Sequence, residues 1–268
     1  MYEHVIVPFD GTAEAQRAGM VGADLAQLFG AELLLTTAAD LDGAELTALK
    51  QAAMARSDSH VTVWVEGSSS DREAVGTVID HRRNSLICMY SNGRTGVRRA
   101  VYGSLAEGLL HDLDVPVVVL GPKTDGASMV NLRNMIVCVD GTATSDAAVA
   151  LAIRWARLLP LNASVVHVRR GVGGDGVDLQ PTVDALRTCC EMVEVAEPTG
   201  RHPVDGVLEL ARHSFGAVVV TATHGRARLD GLLQGSFTAE LCRRSPLPVL
   251  VQRGPLPTTR PEWLGPAT

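Results

Sequence analysis

The chain has 268 residues, 46% of them hydrophobic and 20% charged, with a formal net charge of −6. That length admits one large domain or two ordinary ones, and the balance supports a packed core rather than disorder. The acidic excess argues against a broad nucleic-acid or membrane-binding surface, because phosphate backbones recruit basic faces, and no stretch reaches the roughly 18 apolar residues of a membrane span.

In chain order, short runs rich in Val, Ile and Leu predict strands at His4–Phe9, Glu32–Ala38, Val61–Glu66, Ser85–Met89 and Val115–Leu120. Helical spacing predicts helices at Ala13–Phe29, Glu45–Ala55, Asp71–Asp80 and Ser104–His111, the first ending at Gly30 as a C-cap. The segment Lys123–Asn134 reads as a linker. Strands are then predicted at Met135–Val139, Ser164–Arg169, Met192–Ala196, Ala217–Thr221 and Val249–Gln252, with a long helix at Ser145–Leu158. The Gly-rich stretch Arg170–Gln180 reads as a loop, leaving the second crossover helix short or irregular. Residues 254–268 carry four prolines and little periodicity, the pattern of an irregular tail.

Strands alternating with helices imply an α/β fold with parallel sheets, right-handed crossovers and helices on both faces. Ligands of such folds bind outside the carboxyl ends of the strands. Aromatic residues are only 4% of the chain, so Val, Leu, Ile and Ala must build the core. The start Met1-Tyr2-Glu3-His4 lacks the basic segment and apolar core of a signal peptide. The five cysteines are odd in number, form no CxxC pair, and read as reduced thiols of a cytoplasmic protein. The histidines form no metal-binding cluster.

The chain repeats itself. Val7-Pro8-Phe9-Asp10-Gly11-Thr12 returns as Val137-Cys138-Val139-Asp140-Gly141-Thr142. Asn92-Gly93-Arg94 returns as His224-Gly225-Arg226, and Tyr102-Gly103-Ser104 as Gln234-Gly235-Ser236. Val115-Pro116-Val117-Val118-Val119 returns as Leu247-Pro248-Val249-Leu250-Val251. Four segments in one order and nearly one register indicate a duplicated domain. The predicted division is therefore residues 1–123, residues 134–253 and the tail, giving two tandem open parallel five-stranded sheets.

The informative motif is Gly93-x9-Gly103-Ser104 with its copy Gly225-x9-Gly235-Ser236. Glycines let backbone amides approach an anion, and a serine at a helix start adds a hydroxyl donor where the helix dipole favours phosphate. A lone motif of this form arises by chance about 0.3 times in such a chain, so the paired copy carries the weight. Asp10 and Asp140 precede helices and equally suit helix caps. Arg94, Arg98, Arg99, Arg226 and Arg228 suit either a solvated surface or a phosphate. There is no GxxxxGK[ST], no GxGxxG after the first strand, and no GxSxG. Nothing supplies a general base, so no enzyme activity is expected, and any ATP hydrolysis is expected to be slow.

This pattern resembles the G-x2-G-x9-G-[ST] loop of the universal stress protein family, repeated over essentially the whole chain. The resemblance implies a Rossmann-like fold of the adenine nucleotide alpha hydrolase type that binds ATP, accompanied by Mg, in a stress-response regulatory module. By position it implies a first site at Asp10, Ala38, Gly93, Gly103 and Ser104. The second would be Asp140, Val168, Gly225, Gly235 and Ser236. Both halves depart from the pattern at its first glycine, which is Tyr90 in one and Ala222 in the other; the second half keeps the pattern more closely. The expected partners are an adenine nucleotide and, through the Val-rich last strands, an internal pseudo-dimer of the two halves, with a homodimer as a further assembly. Two alternatives stand beside this reading: an interaction module without ligand, and a weak ATPase.

Overall fold

The computed structural model describes residues 1–10, 12–37, 61–65, 75–79, 84–91, 115–124, 129–167, 177–196, 202–223 and 237–254, with positions 44, 47, 51 and 82 between them. The first half contains β1 (His4–Pro8), α1 (Ala13–Phe29), β2 (Glu32–Thr37), β3 (Val61–Val65), β4 (Ser85–Tyr90) and β5 (Val117–Leu120). The second contains β6 (Asn134–Val139), α2 (Ala143–Ala156), β7 (Asn162–His167), α3 (Gln180–Arg187), β8 (Val193–Ala196), α4 (Pro203–His213), β9 (Ala217–Thr223), α5 (Phe237–Arg244) and β10 (Val249–Arg253). Residues 75–79 are also helical. Of the expected helix Glu45–Ala55 only positions 47 and 51 are described, and both are helical; Ser104–His111, the rest of Asp71–Asp80 and the tail beyond Gly254 lie outside the described residues.

The described strands form one sheet in the order β3-β2-β1-β4-β5-β10-β9-β6-β7-β8. Neighbours are parallel within each half, as buried α/β strands usually are. The two five-stranded sheets join through a single antiparallel pair, β5 with β10, in which Val119 faces Val249 and Val117 faces Val251. The sheet is therefore mixed rather than two separate parallel ones.

Because side chains alternate along a strand, each strand feeds two cores. Val5, Val7, Leu33, Leu35, Val118, Val137 and Leu250 point to the face covered by α1, α2 and α3. Ile6, Leu34, Ile87, Val119, Ile136, Val219 and Val249 point to the face covered by residues 75–79, α4 and α5. Both cores run unbroken across the β5–β10 seam.

Local signals explain the element ends. Gly30 closes α1 at φ 62°, a left-handed conformation glycine adopts without a Cβ penalty. The Ala31 N–H then donates to Ala26 O at 2.8 Å, completing the cap. α2 begins at Ala143, not Ser145, because Thr142 is its N-cap. α3 and α4 start without a side-chain cap, each with a proline in the first turn, where a missing N–H does no harm.

The linker is tied down rather than loose at its described ends. Gly121 N–H donates to Thr124 Oγ1 at 3.0 Å, and that hydroxyl donates to Ser245 O at 3.3 Å. Met129 and Leu132 are buried, and Met129 N–H donates to the buried Asp24 carboxylate at 3.0 Å. An aromatic cluster also binds the halves together. Trp155 of α2 lies edge-on to Phe29 of α1 with ring centroids 5.2 Å apart, and Tyr2 lies 5.0 Å from Phe29. The Trp155 indole N–H donates to the Tyr2 hydroxyl at 3.0 Å, while the Arg154 guanidinium sits 4.5 Å over the Tyr2 ring.

Candidate functional site

In each half the chain reverses its direction of travel across the sheet between the first and fourth strands: β1 and β4, then β6 and β9. A doubly wound sheet opens a crevice at the carboxyl ends of such strands, because the helices that follow them leave to opposite faces. Asp10 follows β1 directly, and Asp140 follows β6 directly. Tyr90 ends β4, and Ala222 lies near the end of β9. Duplication therefore produces two crevices with matching first walls.

Those walls are built alike. Asp10 Oδ1 accepts from Thr12 N–H at 3.1 Å and from Thr12 Oγ1 at 2.6 Å. The Thr12 oxygen in turn accepts from Ala15 N–H at 3.2 Å. Asp140 Oδ1 accepts from Thr142 N–H at 3.1 Å and from its hydroxyl at 2.6 Å. The Thr142 oxygen accepts from Ser145 N–H at 3.4 Å. The threonines are thus the caps, and the aspartates hold the threonine hydroxyls in place. Each aspartate is left beside a helix N-terminus at a strand end, where a hydroxylated ligand would meet it. Thr142→Ala is expected to cost about 1 kcal/mol, and Thr142→Ser to recover most of it, in a urea unfolding series. Equal stability of Thr142→Ala and the wild type would show that the cap contributes nothing.

Gly141, between Asp140 and the cap, has φ 75°. A Cβ there would also meet Val177 Cγ2 at 2.7 Å, so Val177 lies directly against this turn. On the other side of the second crevice, the Thr238 hydroxyl donates to Ala222 O at 3.0 Å. That bond fastens the first turn of α5 to the end of β9. Gly254 N–H donates to Thr223 O at 2.7 Å, closing the same corner. In the first crevice Tyr90 is half-buried and packs on the core beneath α1.

Asp10 and Asp140 are thus placed by the structure, at the switch points. Ala38, Gly93, Gly103, Ser104, Val168, Gly225, Gly235 and Ser236 lie outside the described residues, as do Arg94, Arg98, Arg99, His224, Arg226 and Arg228. Thr12, Thr142, Val177 and Thr238 were not among the expected site residues. The threonines stood inside the repeated Asp-Gly-Thr motif, whose periodic return could have marked them. Among the described residues there is no group of three or more His, Cys, Asp or Glu side chains placed to hold a metal ion, and no helix is long and apolar enough to cross a membrane.

The sequence profile of the universal stress protein family matches residues 36–121 and 191–253, together more than half of the chain. A universal stress protein of Mycolicibacterium smegmatis is 26% identical over 192 residues, an alignment that covers 66% of this chain. It spans 65% of that relative, just under two thirds of its length. In fold, the chain is similar to the crystal structure of a universal stress protein from Archaeoglobus fulgidus, with a TM-score of 0.66 and 18% identity, over 93% of this chain and 98% of that one. A functionally unknown protein from Pseudomonas aeruginosa shares the fold at a TM-score of 0.60 and 16% identity, over 94% of this chain and 92% of its own. With the profile matching in both halves of a duplicated doubly wound sheet, the chain belongs to the universal stress protein family.

Proposed function

We propose that this chain is a cytoplasmic regulatory module of the stress response that holds ATP in its second half, at the carboxyl ends of β6 and β9, without turning it over. One observation carries the reading. The Thr238–Ala222 bond fastens the start of α5 beside the switch point that Asp140 also borders. Gly235-Ser236 immediately precedes α5 in sequence, so backbone amides and a hydroxyl would be supplied to phosphates there, opposite Asp140. Asp140 suits a ribose hydroxyl, and its carboxylate together with the phosphates is the oxygen donor set that Mg prefers. Val168, next after β7, would flank the base. A micromolar site needs about −8 kcal/mol, within reach of several phosphate contacts and a covered adenine.

The first half is assigned a different part. Tyr90 stands where the phosphate loop begins, and its ring packs on the core. Asp10, Ala38, Gly93, Gly103 and Ser104 therefore form the weaker site. The antiparallel β5–β10 pair supports reading the two halves as an internal pseudo-dimer, and a homodimer would have to use other surfaces.

Calorimetric titration of the full chain with MgATP tests this. One site of micromolar affinity is expected. Gly235→Val should weaken it at least tenfold, about 1.4 kcal/mol, and Gly103→Val should leave it unchanged. Absence of binding heat at millimolar nucleotide, with no rise in melting temperature, would leave the interaction module as the better account. Phosphate release that disappears in Ser236→Ala would point instead to a weak ATPase.

A further inference from the structure

The turn after α3 carries Cys189 and Cys190 side by side. Here the helix uncoils through successive bonds: Thr188 N–H donates to Ala185 O at 3.3 Å, and the N–H groups of Cys189 and Cys190 both donate to Leu186 O, at 3.0 and 2.8 Å. Two neighbouring backbones are thereby gathered on one carbonyl, which places the two cysteines on a single tight turn. The Cys189 thiol also donates to Leu186 O at 3.3 Å.

The two sulfurs have different surroundings. Cys190 is enclosed in the core beneath α2 and α3. Cys189 is half-buried, whereas Cys88, Cys138 and Cys242 are buried like Cys190. Burial, reinforced by the neighbouring Cys189, pushes the Cys190 thiol up to about 12. Burial raises Cys88 and Cys138 well above the ordinary thiol range as well, and the Asp24 carboxylate adds to the effect at Cys88. Thiols held in that form are poor nucleophiles toward an outside oxidant. Cys189 is therefore the sulfur an oxidant can reach, and Cys190 is its adjacent partner.

We propose that Cys189 and Cys190 are a redox modification site, oxidised by hydroperoxide to a vicinal disulfide. In the first step the Cys189 thiolate attacks a peroxide oxygen. The O–O bond breaks, the distal oxygen leaves as hydroxide and takes a proton to become water, and Cys189 becomes a sulfenic acid. In the second step Cys190 Sγ attacks the Cys189 sulfur. The S–O bond breaks, hydroxide leaves, and the Cys190 thiol proton completes a second water. Two thiols and one hydrogen peroxide thus yield one disulfide and two waters. The same turn leads into β8, which among the described strands pairs with β7 alone and which is flanked and occupied by the exposed Met192 and Val195. Closing the ring tightens the segment that sets the start of that edge.

The test uses the reduced full-length protein, treated with hydrogen peroxide, denatured, alkylated with iodoacetamide and digested with trypsin. The peptide of residues 188–201 is expected to escape alkylation at both cysteines and to weigh about 2 Da less than the dithiol, the mass of two hydrogens. Dithiothreitol should restore both alkylation sites. Cys189→Ser should abolish the lighter species and leave Cys190 alkylated, while Cys138→Ser should retain it. Should the serine variant melt early, Cys189→Ala serves in its place. Full alkylation of both residues after peroxide would overturn the proposal. So would a Cys189 stopped at sulfinic acid, or a linked pair found only in covalent dimers.

Discussion

Trp155→Ala is expected to lower the folding free energy by about 3–5 kcal/mol, among the largest single-site effects in this chain. The indole is completely buried, and its ring stacks edge-on against Phe29 and Tyr2. Alanine leaves a cavity that two helices and the N-terminal segment would have to collapse to fill. It also strips the Tyr2 hydroxyl of its donor inside the core, adding the penalty of a poorly satisfied polar group. Burial holds the Tyr2 hydroxyl above its usual titration range, countered in part by Arg154 and the Trp155 bond, so it stays a neutral phenol near neutral pH. Trp155→Phe weighs the two terms differently, since it keeps an aromatic ring in the cluster but loses the hydrogen bond and part of the packed volume. It should cost about 1–2 kcal/mol. Urea unfolding followed by circular dichroism gives both numbers. A loss under 1 kcal/mol for the alanine variant would mean that the cluster is incidental to holding the halves together.

Gly121→Ala is expected to be nearly as severe, about 3 kcal/mol, although it adds one methyl group. Gly121 follows β5, and a Cβ there would lie 1.8 Å from Cys242 O and 3.0 Å from its carbonyl carbon. Those atoms are the backbone of α5, so no side chain can turn aside; the helix itself must move. Gly76, also helical but with open space around it, is the control. There alanine should be neutral or raise stability by about 0.5 kcal/mol, through helix propensity. The displaced helix is also the one fastened to β9 by Thr238, so on the function proposed above Gly121→Ala should weaken MgATP binding along with stability, whereas Trp155→Ala should act on stability first. Wild-type melting and wild-type affinity in Gly121→Ala would refute the close approach of α5 to β5.

Much of this architecture could be read from residue order, because the signals are local. The strands are bursts of Val, Ile and Leu a few residues long, and α1 was delimited at both ends by Ala13 and the Gly30 cap. α4 carries its signal in Pro203, which opens it, and in Val204, Val207, Leu208 and Ala211, which fall on one buried face. The start of α2 was misplaced because Thr142 and Ser145 are both good caps, and only geometry shows which hydroxyl receives the helix N–H. The direction of the β5–β10 pair, and the meeting of Tyr2 with Trp155 across 153 positions, are long-range choices that no window of sequence contains. The positions of Asp10 and Asp140 at the ends of β1 and β6 are legible because duplication wrote the motif twice. Val177 was not, since it reaches Gly141 from the far side of a Gly-rich stretch that carries no periodicity.

The antiparallel join has a further consequence for communication. Since the halves run in opposite directions, the carboxyl ends of β1 and β4 emerge along one rim of the sheet, and those of β6 and β9 along the other. The two crevices look away from each other. Among the described residues, the contacts that join the two halves are the Val-lined centre of the sheet, the Tyr2–Phe29–Trp155 cluster and the linker's bonds to Asp24 and Ser245.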